Sequence, residues 1–217
     1  MSDAAALIDA IKSADVETAR SILRANPRLA TETVPGGESA LMTALYRGQR
    51  DLAVEMAQAA GDLDVFAAAA VGDEAALQRA ADGGHTNDVS YDGWTPLHLS
   101  AFFGQLEAAR QLLDAGAAID APSRNSMRNT ALHAATAGGH AAIALLLIDR
   151  GADVNSQDAG RHTPLHIAAE NGLTDVVRAL LNRGADPFAV DAEDRTPLAR
   201  AAAKNRNEIV DLLNERT

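Results

Sequence analysis

Residues 95–104 read TPLHLSAFFG, a threonine and a proline at the mouth of an apolar helix. The same opening returns as TALHAATAGGH from Thr130, TPLHIAAENGL from Thr163 and TPLARAAAKNR from Thr196, at intervals of 35, 33 and 33 residues. A second helical pattern with paired aliphatic residues follows each one: EAARQLLDAGA from Glu107, AIALLLIDRGA from Ala142, DVVRALLNRGA from Asp175 and EIVDLLNER from Glu208. Such a period marks a helix-turn-helix unit that buries its apolar face by stacking on copies of itself.

Each part of the pattern has a physical reason. The threonine hydroxyl satisfies an orphan amide at the helix start, and proline in the first helical position has no amide to satisfy. Leu97, Leu132, Leu165 and Leu198 are then placed to face the neighbouring unit. Gly116, Gly151 and Gly184 are placed to end the second helices in the left-handed conformation that glycine tolerates. Aromatic residues make up only 3% of the chain while alanine runs recur, so the core is built from small and aliphatic side chains that let helix axes approach.

In its 33-residue period, its T-P-L-H-x-A motif and its trailing GADVN and GADP segments, the chain resembles the ankyrin repeat family, most closely over residues 87–217. Upstream the pattern fades but is traceable in SALMTALYRGQRDLAVEMA from Ser39, LDVFAAAAVGDEAALQRAA from Leu63 and AALIDAIKSADVETARSILRANP from Ala5. The expected fold is therefore all-α with short β-turn or hairpin tips, an ankyrin-repeat solenoid forming one domain over residues 1–217. About seven units are expected, at 1–38 (a degenerate N-terminal cap), 39–62, 63–94, 95–129, 130–162, 163–195 and 196–217 (a C-terminal cap). The interval from residue 39 to residue 63 is too short for a connecting turn, so the row of tips is expected to break there. Asp211, Asn214, Glu215 and Arg216 are expected to form a polar cap over the last unit.

Composition excludes several functions. A formal net charge of −11 repels a phosphate backbone, which argues against nucleic acid as a ligand. Zero cysteines remove disulfides, thiolate zinc sites and cysteine nucleophiles. No apolar run approaches the roughly 20 residues that span a bilayer, and the N-terminal stretch, with Asp3 and Asp9 inside it, does not look like a signal peptide. A cytoplasmic monomer without membrane association is expected.

The resemblance implies that the threonine hydroxyl and the imidazole of each motif hydrogen-bond each other and the adjacent turn. Thr95 with His98, Thr130 with His133, and Thr163 with His166 are then structural, and Thr196 stands alone because Ala199 replaces its histidine. Metal ligation by these histidines fails on geometry, since stacked helices lie roughly 8–10 Å apart whereas zinc needs each nitrogen about 2 Å away. His162 and His166 lack the glutamate of a zinc-protease helix, and His85 and His140 read as solvated loop or helix-end residues. Asp120, Asp153, Asp158, Asp186 and Asp191 fall in the connecting segments, where aspartate shapes solvated turns. No phosphate-binding glycine loop and no nucleophile-base-orienter set is present, so no catalytic residue, metal or cofactor is expected.

A protein partner remains. By the family resemblance, the tips and first helices line a concave binding face, which places Tyr46, Arg47, Tyr91, Asp92, Trp94, Phe102, Phe103, Arg124, Met127, Arg128 and Arg161 on it. Five of the seven aromatic residues fall in this set, and aromatic and arginine side chains are enriched in binding hot spots. If Trp94 and Phe103 are exposed there, replacing both by alanine costs folding about 1 kcal/mol or less. The expected function is a non-catalytic interaction scaffold. The alternatives are a regulatory or inhibitory subunit or a secreted effector using the same surface and, less favoured, an enzyme using the histidine-bearing tips.

Overall fold

In the computed structural model, which describes residues 2–215, fourteen α-helices follow one another in seven pairs. They are α1 (Asp3–Lys12) with α2 (Val16–Ala25), α3 (Ala40–Tyr46) with α4 (Arg50–Ala60), α5 (Val65–Val71) with α6 (Glu74–Asp82), and α7 (Pro96–Phe103) with α8 (Leu106–Asp114). Then come α9 (Ala131–Ala137) with α10 (Ala141–Asp149), α11 (Pro164–Asn171) with α12 (Thr174–Asn182), and α13 (Pro197–Ala203) with α14 (Asn207–Asn214). A short 3-10 turn, Pro27–Ala30, packs against α4.

The capping chemistry of the repeat sets these boundaries. Thr95, Thr130, Thr163 and Thr196 are the N-caps of α7, α9, α11 and α13, while Ser39 and Asp64 do the same for α3 and α5. Gly116, Gly151 and Gly184 have φ of +85°, +90° and +85°, so α8, α10 and α12 each end where an L side chain would be strained. First helices stack on first helices through buried alanines such as Ala101, Ala134, Ala135, Ala168 and Ala169, whose small size permits close approach. Leu97, Leu132 and Leu165 are buried between pairs, whereas Leu198, in the last described pair, is only half-buried. Asp211, Asn214 and Glu215 are exposed at that end, and Arg216 lies outside the described residues.

The connecting tips carry no strand; among the described residues the one bridge joins Thr33 and Ser39. Each tip is instead closed by a backbone bond, from Val34 to Glu38, Ser90 to Trp94, Asp158 to His162 and Asp191 to Arg195, and across a longer span from Ser123 to Asn129. Neighbouring tips are joined through the amides of Arg124, Ala159 and Ala192, which donate to the carbonyls of Gly93, Met127 and Gly160.

One junction departs from the series. Residues 61–64 connect α4 to α5 with no tip, and α4 scarcely touches α6, whereas α6 packs on α8 and α10 on α12. The expected break in the row of tips is present but bridged. Tyr91 of the fourth tip lies directly over Gly37 of the second, where an added Cβ would come within 2.5 Å of the ring's own Cβ.

Candidate interaction surface

The histidine motifs form a ladder along the tips. In each, the imidazole Nδ1 lies 2.7–2.9 Å from the hydroxyl of its own threonine and accepts from that threonine's amide. Its Nε2 donates to the next tip, from His98 to the Asn129 carbonyl at 2.9 Å, from His133 to His162 at 3.0 Å and from His166 to Arg195 at 3.0 Å. A carbonyl only accepts, so Nε2 carries the proton and the ring is neutral. Burial holds all three imidazoles below the ordinary histidine range, His98 down to about 4, against the opposing pull of the carbonyl each one meets. Each ring thus fixes both its own helix start and the carbonyl closing the following tip.

Where unit seven lacks the histidine, another network takes over. The Asp191 carboxylate is wholly buried, accepts from the amides of Glu193 and Arg195, and binds the Arg200 guanidinium at 2.7 and 2.8 Å. Burial alone would raise this carboxyl, but the Arg195 amide and Arg200 outweigh it and hold the group well below the usual carboxylate range. Arg200 also binds Glu170 and donates to His162 Nε2 at 2.6 Å, while His162 Nδ1 faces Asp158 at 3.0 Å. Asp191 is therefore not the solvated turn residue expected of it, because the guanidinium one residue past the missing histidine needs a buried anion.

His140 also departs from its expected solvated role. It is half-buried over Gly104 and donates from Nε2 to the Phe102 carbonyl at 2.9 Å. Gln49, Gln105, Asn171 and Arg206 reach back in the same way to Ile11, Ala70, Thr136 and Glu170. These side chains satisfy the carbonyls left over at first-helix ends. Their varied chemistry hides the shared role from sequence reading.

The aromatic residues are divided between core and surface. Trp94 is 8% exposed, which overturns its expected place on an open face. Phe102 and Phe103 are half-buried. The rings run Tyr46, Phe103, Phe102, Trp94, His98 with successive centroid distances of 5.5, 5.2, 6.0 and 5.4 Å. The Tyr46 hydroxyl donates to Asp92 of the fourth tip. The physical reason for the correction is that Trp94 packs on His98 and Phe102 of its own unit, and across the missing third tip Tyr46 of the second pair extends the row onto Phe103.

What is left at the surface is narrower than the expected set. Tyr46 (40%), Tyr91 (51%) and Met127 (46%) are exposed large apolar side chains, and Arg47, Arg124, Arg128 and Arg161 are exposed beside them. Asp92 is half-buried and engaged by Tyr46 and by Ser90. Phe188, the most exposed large apolar residue at 58%, lies outside the set altogether. No group of three or more potential metal ligands occurs among the described residues, and no helix among them is long and apolar enough to cross a membrane.

Paired helices stacked in two rows, with tips tied by backbone bonds and buried histidines, define a helical repeat solenoid. Residues 65–158 match the family of ankyrin repeats in three copies, and residues 147–201 match ankyrin repeats in many copies. The chain belongs to the ankyrin repeat family, whose repeats are in general protein–protein interaction modules. Comparison with curated proteins gives no match.

Proposed function

We propose that the chain is a non-catalytic scaffold, one domain of seven ankyrin units over residues 1–217, that binds a partner protein through its tips and first helices. The observation that carries this reading is the exposure of the large apolar side chains Tyr46, Tyr91 and Met127 on a protein whose aliphatic residues are otherwise largely packed. Exposed large apolar side chains on the tips, with exposed arginines in the same segments, are what interaction sites offer and what solvent alone does not favour. The polar groups at the tips support the same reading, since His98, His133, His166, Asp158 and Asp191 are each committed to bonds within the fold. A monomer in the cytoplasm, free of cofactor and nucleic acid, completes the proposal.

The test compares the full chain with a Tyr91→Ala/Met127→Ala variant as bait in source-cell lysate. Both residues are about half exposed, and of the contacts across the second junction only that of Tyr91 over Gly37 is lost, so the variant should keep its Tm within a few degrees. A protein captured by the wild type and lost by the variant supports the reading; identical captures sink it.

A further inference from the structure

Three arginines on two adjoining tips carry charge that nothing in the fold neutralises. Arg20, Arg150, Arg183 and Arg200 each bind a carboxylate, whereas among the described residues the side chains of Arg124, Arg128 and Arg161 have no such partner. The tips that hold them are joined by the bond from the Ala159 amide to the Met127 carbonyl, so the three guanidinium groups and the exposed Met127 belong to one ribbon. Arg124 and Arg128 also line an open cleft of about 600 Å³, walled by Asn87, Pro122, Ser123 and Asn125, with no carboxylate on its border. A bare cationic strip on a chain of net charge −11 is the opposite of what bulk composition would place there.

Backbone conformation separates this strip from ordinary solvated charge. Arg128 and Arg161 have φ of +50° and +59°, two residues before the capping threonine. Glycine holds that place in the second and fourth tips, at Gly37 and Gly93, with φ of +86° and +89°, and Asp194 holds it in the seventh with φ of +57°, so arginine there is particular to the fifth and sixth tips. An L side chain in this region is strained, and arginine has no local hydrogen bond to offset it as asparagine does. Folding is served at least as well by glycine, so what arginine adds at these positions is its side chain.

Resting on the proposed partner-binding role, we infer that the fifth and sixth tips receive an acidic segment of the partner protein, its carboxylates on Arg124, Arg128 and Arg161 and an apolar residue on Met127. Arginine forks match carboxylates in paired hydrogen bonds, which supplies both charge complementarity and register. A nucleic-acid strand would also meet the guanidinium groups, but the remaining surface opposes a polyanion of its length.

The probe is a displayed library of random dodecapeptides selected on the full chain at low salt. The enriched peptides should carry an excess of Asp and Glu and weaken as salt is raised. Synthetic copies should bind an Arg124→Gln/Arg128→Gly/Arg161→Gly variant at least tenfold more weakly, while that variant melts no lower than the wild type. Enriched peptides without acidic excess, bound equally by the variant, overturn this inference and leave the scaffold reading standing. Failure to enrich any peptide overturns both. A variant that melts lower shows that the arginines serve the fold, and tighter binding of an oligothymidylate than of any selected peptide assigns the strip to nucleic acid; either result refutes the inference.

Discussion

The neutral histidine is the smallest part of the molecule with a measurable consequence. Its Nδ1 faces a threonine amide and its Nε2 a carbonyl, so an added proton on Nδ1 would point at another donor. His133→Ala leaves the His162 carbonyl and the Thr130 amide unpaired in a buried site, and should cost about 1–3 kcal/mol, read as a lower Tm. A chelator should leave Tm unchanged, because no metal enters this account; a chelator-dependent loss would replace it. The same geometry fixes the pH response. His98 is held at about 4 in the fold against 6.5 for the free side chain, so between those values the unfolded chain binds the extra proton. The stability contributed by the neutral ring is whole above pH 6.5 and drains away as the pH falls toward 4, by on the order of 3 kcal/mol. Melting from pH 7 to 4 should therefore fall more steeply in the wild type than in His98→Gln; parallel slopes would refute the assignment.

Helices and tips show where two sequence rules stop being sufficient. The threonine-proline caps, the glycine ends and the stacked leucines were legible because each is local chemistry repeated at a fixed interval. The Asp191–Arg200 pair was not, since it occurs only where Ala199 has broken the motif and joins residues nine positions apart. Arg200→Met should test its worth. Removing the guanidinium strands a fully buried carboxylate, so we expect about 3–5 kcal/mol of destabilisation, whereas an exposed pair would lose at most about 1. Because the folded Asp191 titrates well below its ordinary range, this contribution persists above the unfolded pKa and disappears only as acid protonates the carboxylate. Wild type and variant should accordingly converge in strong acid. The aromatic residues were legible as a group but misplaced. Periodicity identifies Phe102 and Phe103 as the pair before Gly104, yet it does not show that Phe102 packs on Trp94 or that Phe103 meets Tyr46 from two helix pairs away across the missing tip. Trp94→Ala should therefore cost about 3–5 kcal/mol, the penalty of a core truncation and not the small loss of a surface one; a melting temperature within a few degrees of the wild type would restore Trp94 to the open face.

A solenoid's contacts run almost entirely between neighbouring units, so its stability is close to a sum of units and the interfaces between them, and it opens first at its thinnest interface. Here that interface is between the second and third pairs. No tip joins them, α4 scarcely touches α6, and α6 carries half-buried Ala80 and Ala81 where later second helices place leucines. By contrast α5 packs closely on α7, so the third pair goes with the pairs that follow it. The match to ankyrin repeats, which begins at residue 65, divides the chain at the same place. What spans the junction is the side-chain brace: Tyr46 to Asp92, Tyr46 to Phe103 and Tyr91 over Gly37. Less apolar area buried across one junction means a lower free energy of local opening there. Hydrogen exchange should thus show residues 57–72 and the helices α1 to α4 losing protection before residues 130–180, and limited proteolysis should cut first at residues 61–64. Tyr46→Ala removes two of the three braces, so it should accelerate exchange in α1 to α4 while leaving α11 and α12 unchanged. Uniform acceleration along the chain would mean that the stack opens as one cooperative body, and protection of residues 57–72 above that of residues 130–180 would place the weak interface elsewhere.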